Sequence, residues 1–194
     1  MNELTNELDL AEQRRLLRSW LTDHRSPTAR QLAEAGLVAS HWPRPWGLDA
    51  DPHLQLVVAE ELAAANVAVP DSTIGLGWAG PTILAGGTEV QHRRWLPGIL
   101  DGTEMWTQLF SEPDAGSDLA SLRTSAERDG DHYVVNGQKI WSTWANRSQW
   151  GILLARTDAT VAKHQGISYF VVDMATPGVE VRKIIEAIVD RYHA

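Results

Sequence analysis

Two short segments of the sequence contain residue types that could bind a flat, phosphorylated ligand. The first is QLFSEPDAGSD, residues 108–118, where a short apolar run leads into a turn that contains Pro113, Gly116 and Ser117. Small residues let the backbone approach a ligand, and the N–H groups of such a turn, with a serine hydroxyl, can bind a pyrophosphate. The same residue types are typical of an ordinary surface turn. Three carboxylates would oppose a phosphate unless they point away from it: Glu112, Asp114 and Asp118.

The second segment is NGQKIWST, residues 136–143. Asn136-Gly137 is a strong signal for a hairpin turn. A strand after that turn would place Trp141 and Thr143 on one face, because side chains alternate along a strand. An indole and a hydroxyl on one face could hold a flavin, through stacking and a hydrogen bond to a ring nitrogen. A cross-strand aromatic pair in an ordinary sheet would use the same residues, so each segment alone fits plain structure at least as well as a ligand site.

The elements that must position these segments change in type near Gly102. Before it, apolar residues recur at helical spacing, which predicts helices at about residues 5–23, 26–36, 51–66, 73–84 and 88–100. Helix starts are indicated by Ser26-Pro27, Asp51-Pro52 and Thr88. After Gly102, strands are predicted at about residues 105–110, 126–128, 132–135, 150–156, 167–173 and from 179 onward, with a turn at 129–131. Helices and strands in separate runs predict an α+β protein.

The composition limits the possible functions. The chain has 194 residues, a net charge of -8 and no cysteine, which excludes disulfides and cysteine-ligated metals, and we predict no metal site. The negative charge disfavours nucleic acid and anionic membranes as partners, because both require basic surfaces. No apolar stretch approaches the roughly 18 residues of a membrane span, and the N-terminus lacks the apolar core of a signal peptide. We therefore expect a cytoplasmic protein.

The two segments together, FSEPDAGSD followed about twenty residues later by NGQKIWST, resemble the acyl-CoA dehydrogenase family. The stretch GGTEVQHRRWLPGILDGTEMW is similar to the end of that family's N-terminal helical domain, and the resemblance covers roughly residues 36–182. It implies an N-terminal all-α domain at residues 1–103 and a small, truncated, antiparallel β-barrel-like middle domain at residues 104–182. Residues 183–194 do not align with the family and form a divergent C-terminal tail.

Members of this family bind FAD, so the resemblance implies a flavoprotein oxidoreductase of fatty acid or lipid metabolism. Such an enzyme removes hydrogens from the α and β carbons of an acyl-CoA substrate. The resemblance assigns Gln108, Phe110 and Ser111 to the flavin ring and ribityl chain. Gly116 and Ser117 would lie near the pyrophosphate, and Ser117 would also face the acyl-CoA.

The second segment carries the remaining implied contacts. Trp141 would pack against the isoalloxazine, and Thr143 would hydrogen-bond near flavin N5, the atom that accepts hydride. Electrons would then pass to an electron-transfer flavoprotein. The family's base is usually a glutamate of a C-terminal helical bundle, which these residues lack, so no catalytic residue is assigned.

Without that bundle, the flavin would be covered on one side only. The apolar surface that meets the bundle in the family would favour a homo- or hetero-oligomer. Three functions stay open: an acyl-CoA dehydrogenase that is complete only with another chain or in a full-length form, a non-catalytic truncated paralogue or partner subunit, and a flavin oxidase or monooxygenase on the same fold.

Overall fold

Helices make up the N-terminal unit, Met1–Met105, of the computed structural model, which describes residue 1 and residues 3–183. The helices are α1 (Leu10–Asp23), α2 (Ala29–Glu34), α3 (Pro52–Ala64), a π-helical turn (Gly75–Ala79), α4 (Gly80–Gly86) and α5 (Glu89–Leu100). None of the described helices is long and apolar enough to cross a membrane.

Side-chain caps fix where these helices begin. Thr28 accepts a hydrogen bond from the backbone N–H of Gln31, whose side chain accepts one from the backbone N–H of Thr28. Thr88 and Gln91 form the same capping box at α5, and Asp51 caps α3 ahead of a proline. Each such cap satisfies N–H groups that have no partner within the helix. The helix starts predicted at Asp51 and Thr88 are therefore confirmed.

Three predicted helices differ in detail. α1 begins at Leu10 rather than near residue 5, because Asp9 accepts from the N–H of the first turn. The cap of α2 is Thr28 and not Ser26. The helix predicted over residues 73–84 contains the π-helical turn, a wider form that helix propensity alone does not indicate.

A shared core and an ion-pair cluster join α1 to α3. Leu17 and Leu54 are completely buried in one apolar cluster. The carboxylate of Glu61, which is 4% exposed, accepts from Arg14 Nη1 at 2.6 Å and from Arg18 Nε at 2.8 Å. The hydrogen bonds from these guanidinium groups, with that of Arg18 the strongest, outweigh burial and lower the pKa of Glu61.

The C-terminal unit, Trp106–Ala194, contains one sheet within its described residues. Its strands are β1 (Trp106–Leu109), β2 (Ser125–Asp129), β3 (His132–Asn136), β4 (Trp150–Arg156) and β5 (Ile167–Asp173). β4 pairs with β5 antiparallel along its whole length, and with β1 in parallel. β2 joins β4 in parallel at Ser125 and Arg156, and forms an antiparallel hairpin with β3.

The predicted α+β class and the order of helices before strands are confirmed. The hairpin predicted around Gly130 is also confirmed, since Asp129 and His132 pair on either side of its two-residue turn. Antiparallel pairing holds for β2 with β3 and for β4 with β5. β1 and β4 add a parallel pair, which the long connection between them permits because parallel strands need a crossover.

Two predicted strands are absent from the described residues. No strand lies between Asn136-Gly137 and the start of β4 at Trp150, and none begins at Val179 in the stretch up to residue 183. The first prediction fails because Gly137 lies against Thr124, where a Cβ on the glycine would come within 2.2 Å of Thr124 Oγ1. The chain there leaves the sheet instead of turning back into it. Residues 184–194, most of the predicted tail, lie outside the described residues.

We expect Glu61→Ala to lower the free energy of unfolding by about 2–3 kcal/mol, because it removes a buried carboxylate that accepts from two guanidinium groups and leaves Arg18 without this partner. Urea denaturation measures this change. Glu60→Ala is the matched control, since the Glu60 side chain is 46% exposed in its pair with Arg14, and it should cost less than about 1 kcal/mol. Equal losses in the two variants would contradict the prediction.

Candidate functional site

A tight turn follows β1. The N–H of Glu112 donates to the carbonyl of Ala115 at 2.8 Å, and the N–H of Ala115 donates to the carbonyl of Glu112 at 3.1 Å. Pro113 and Asp114 form the exposed tip. At Gly116 the backbone is exposed, and a Cβ placed there would meet nothing within 4 Å. The turn therefore leaves the backbone after Ala115 open to a ligand.

The Glu112 side chain points into the protein, where it forms an ion pair with Lys139. Its carboxylate accepts from the backbone N–H groups of Arg123 at 2.7 Å and Thr124 at 2.9 Å. Lys139 Nζ donates to the same carboxylate at 2.9 Å and to the carbonyl of Phe110 at 3.0 Å. Both charged side chains are only 7% exposed. We call Glu112 and Lys139 the buried pair.

Two further hydrogen bonds bring the segments 108–118 and 136–143 side by side. The N–H of Ile140 donates to the carbonyl of Ser111 at 2.8 Å. The hydroxyl of Thr107, in β1, donates to the carbonyl of Thr143 at 2.8 Å. With the buried pair, these bonds run along both segments. The segments that the sequence singled out are therefore neighbours in the fold.

The seven residues assigned to a flavin fall into two groups. Half-buried positions in and just after β1 are occupied by Gln108, Phe110 and Ser111. Exposed positions are occupied by Gly116, Ser117, Trp141 and Thr143. Hydrogen bonds join Ser111 to Ile140 and Thr143 to Thr107, whereas Gly116 and Ser117 follow the turn and take no part in these bonds.

Trp141 does not stand on a strand, so the predicted alternation of Trp141 and Thr143 on one face is wrong. Trp141 has φ 60° and Trp144 has φ 61°, both in the left-handed region that bulky residues rarely adopt. The N–H of Thr143 donates to the carbonyl of Trp141 at 3.1 Å, so the backbone turns tightly here. Such backbone strain often occurs at functional sites. The indole of Trp141 remains 60% exposed, and its face is open to a stacking partner.

Comparison with known families supplies the identity. Residues 9–103 match the family model described as "Acyl-CoA dehydrogenase, N-terminal domain", and residues 107–189 match "Acyl-CoA dehydrogenase, middle domain". The chain belongs to the acyl-CoA dehydrogenase family. The middle-domain match runs to residue 189 and so includes part of the segment that the sequence alone did not align.

Curated relatives of this acyl-CoA dehydrogenase chain include mycobacterial proteins. The chain is 53% identical over 155 residues to "Acyl-CoA dehydrogenase FadE34" of Mycobacterium tuberculosis, a match that covers 80% of this chain and 22% of that protein. It is 44% identical over 158 residues to "Acyl-CoA dehydrogenase IpdE1" of the same organism, covering 81% of this chain and 41% of the relative. The chain therefore spans well under half the length of these relatives.

Solved structures of the same family superpose on the chain. The ChsE4-ChsE5 complex from Mycobacterium tuberculosis matches with a TM-score of 0.63 and 37% identity, covering 85% of this chain and 46% of that one. The Tcur3481-Tcur3483 steroid ACAD matches with a TM-score of 0.62 and 34% identity, covering 85% of this chain and 47% of that one.

Electrostatics in this acyl-CoA dehydrogenase chain keep the Glu112 carboxylate ionised. Burial alone would raise the pKa of Glu112, but hydrogen bonds from Thr124, Arg123 and Lys139 outweigh it and lower the pKa from 4.5 to about 2. Burial lowers the pKa of Lys139, and the neighbouring Glu112 carboxylate opposes that change. The carboxylate is therefore charged at neutral pH and faces its counter-charge, not the surface.

The other two carboxylates of the first segment are also neutralised. Asp114 lies 3.8 Å from an Arg123 guanidinium nitrogen, with both groups exposed. Asp118 accepts from the Ser121 hydroxyl and, at 3.3 Å, from Lys163 Nζ, and these bonds lower its pKa. The electrostatic objection to a phosphate near this turn is thereby removed, because each carboxylate already has a cation.

An open cavity of about 620 Å³ lies beside β2 and the end of β4, and residues 120–123, which follow the first segment in the chain, form part of its lining. Arg156 forms part of its wall and donates to the carbonyls of Ala120, Leu122 and Lys163. The exposed cations of this cavity are Arg123 and Lys163, which the nearby aspartates pair. Among the described residues, no group of three or more acidic or histidine side chains could hold a metal ion.

Three residues that shape the site were missed by sequence reasoning: Thr107, Thr124 and Lys139. Each contacts a residue far along the chain, and the partners of the buried pair are 27 positions apart. The only local indication of the buried pair was Lys139 itself, a cation two residues after Gly137, which packs closely against Thr124. No spacing rule links it to Glu112.

Stability should depend on pH through Glu112. Because its pKa falls from 4.5 to about 2 on folding, its contribution is complete above about pH 4.5 and is lost as pH falls towards 2. We expect Glu112→Gln to destabilise the protein by about 3 kcal/mol near neutral pH, since it leaves Lys139 buried without a counter-charge. That difference from wild type should shrink steadily between about pH 4.5 and 2 in urea denaturation. A Glu112→Gln destabilisation that stays constant over this pH range would contradict the lowered pKa of Glu112.

Glycine at position 137 should also be required. A Cβ there would lie 2.7 Å from the Cα of Thr124. That backbone atom cannot move without shifting the hydrogen bond from the Thr124 N–H to the Glu112 carboxylate. We expect Gly137→Ala to cost about 2 kcal/mol or more. Gly116→Ala, where a Cβ meets nothing within 4 Å, should change stability by less than about 0.5 kcal/mol. Thermal or urea unfolding compares the two, and a harmless Gly137→Ala is the result that contradicts this contact.

Proposed function

We propose that this chain provides the N-terminal and middle domains of an FAD-dependent acyl-CoA dehydrogenase. The observation that carries this proposal is the joining of two segments, residues 108–118 and 136–143, by the buried pair and by the bond from Ile140 to Ser111. In a member of this family, these are the segments expected to bind the flavin. The reaction is the α,β-dehydrogenation of an acyl-CoA thioester.

The residues present fit FAD. Trp141 offers an indole that is 60% exposed, and so can stack on a flat ring system. The exposed backbone at Gly116 and Ser117 can approach a pyrophosphate, and the carboxylates beside it are paired with cations. Bound FAD would supply the hydride acceptor. Gln108, Phe110, Ser111 and Thr143 would orient the ring and its ribityl chain, and Ser117 would contact the acyl-CoA.

The base and the second wall of the flavin site would come from residues outside this chain's two matched domains. Two of the similar structures, ChsE4-ChsE5 and Tcur3481-Tcur3483, are named as pairs of different proteins. Their similarity supports a hetero-oligomer, in which a further chain or a further segment completes the site.

Electron-transfer flavoprotein is the proposed acceptor of the electrons. Because one of these neighbours is described as a steroid ACAD, steroid acyl-CoA thioesters belong among the substrates to be tested.

Flavin binding tests this proposal directly. The purified chain should bind FAD, seen as quenching of tryptophan fluorescence and a changed flavin absorbance spectrum. Trp141→Ala should weaken binding roughly tenfold, since the loss of one stacked ring costs about 1–2 kcal/mol. Trp144→Ala is the matched control, because Trp144 directly follows the segment, has the same left-handed backbone as Trp141 and should alter binding less than twofold.

Activity is tested in the presence of a candidate partner that carries the family's C-terminal domain. The chain and partner together should reduce an artificial electron acceptor when given an acyl-CoA. If the chain binds no FAD alone or with any such partner, and no activity appears, it is a non-catalytic partner or paralogue. Oxygen consumption during turnover would identify an oxidase or monooxygenase instead.

A further inference from the structure

The buried pair has no counterpart in the binding roles assigned above, since neither Glu112 nor Lys139 is expected to touch the flavin. Yet it is an extensive and buried polar contact in the described part of the β unit. The Glu112 carboxylate accepts three bonds and Lys139 donates two, and both side chains are 7% exposed. Burying two charges is costly unless their position is tightly fixed. Well-packed apolar residues of similar volume would serve at least as well if the chain needed only stability.

We propose that Glu112 and Lys139 are positioning residues for the flavin, because they set the spacing between the two segments that bind it. Lys139 Nζ donates to the carbonyl of Phe110 and to the carboxylate of Glu112, so Lys139 is bonded to the first segment at two points. Directly beside it, Ile140 donates to Ser111. The pair therefore determines where Trp141 stands relative to Ser111. This inference rests on the proposed flavin site.

The bonds of the pair have a fixed direction. Glu112 accepts from the N–H groups of Arg123 and Thr124, which an ammonium cannot do. Lys139 donates to a backbone carbonyl, which a carboxylate cannot do. Exchanging the two residues would keep the charges opposite while placing each beside backbone groups of the wrong kind. The pair should therefore not survive exchange, unlike a pair that acts through charge alone.

The test compares Lys139→Met with wild type in the full chain, without ligand and with FAD. Amide hydrogen exchange should speed up tenfold or more at Ile140 in the variant, while amides in α3 exchange as in wild type. The Kd for FAD should rise at least tenfold, and the flavin absorbance spectrum should shift. Lys139→Gln, which keeps an N–H donor group but loses the charge, should fall between the two.

Two controls separate positioning from other effects. Arg182→Met removes a cation whose pair with Glu180 is exposed, with side chains 87% and 74% accessible, and it should change neither the exchange rate at Ile140 nor the Kd for FAD. Glu61→Ala lowers stability in the helical unit without touching either segment, and should leave the Kd for FAD unchanged.

Three outcomes would overturn the inference. One is wild-type exchange at Ile140 in Lys139→Met. Another is faster exchange with an unchanged Kd for FAD, which leaves a structural role only. The third is full recovery in the double variant Glu112→Lys with Lys139→Glu. If wild type binds no FAD either alone or with a partner that carries the family's C-terminal domain, the proposed function fails, while the exchange rates still decide whether the pair positions the two segments.

Discussion

Burying a carboxylate and an ammonium costs several kcal/mol per ion unless hydrogen bonds and a counter-charge replace the lost water. Glu112 and Lys139 meet this requirement by bonding to each other, to the carbonyl of Phe110 and to the N–H groups of Arg123 and Thr124. These bonds join three separate stretches of chain, at Phe110 with Glu112, at Arg123 with Thr124, and at Lys139. Removing any one of these partners leaves a charge or a donor unsatisfied. These stretches therefore keep a fixed arrangement relative to one another. The surface formed beside them is fixed for the same reason.

The sheet explains why these stretches come together at all. β1 and β4 are parallel neighbours, so the chain between them must leave the sheet and return. That connection contains the turn after β1, the hairpin of β2 and β3, and the segment before β4. Both candidate flavin segments thus lie at or on one crossover, which leaves the end of β1 at Leu109 and returns at the start of β4 at Trp150. The buried pair then fixes its middle.

Local signals in the sequence predicted local structure well. Asp51 and Thr88 start helices as expected, and Gly130 with Asp131 makes the hairpin turn, because a cap or a tight turn depends on a few adjacent residues. Asn136-Gly137 carries the same kind of signal and yet makes no hairpin. There the deciding contact is with Thr124, far along the chain, so close packing overrides turn preference. Lys139 was missed for the same reason. The segments at residues 108–118 and 136–143 indicated the family only when they were considered together. In the structure, hydrogen bonds hold the same two segments side by side.

Exposure of the candidate site sets a physical limit on what these residues do by themselves. Trp141 is 60% exposed, and Gly116, Ser117 and Thr143 are also on the surface. Sites for ligands of this size usually enclose most of the ligand, since affinity depends on removing both surfaces from water. A flavin lying on Trp141 alone would keep one face in solvent, and water there would weaken every charge interaction at the ring. Tight binding therefore requires a second surface over Trp141, and a preformed, rigid first surface lowers the entropy that this second surface must overcome.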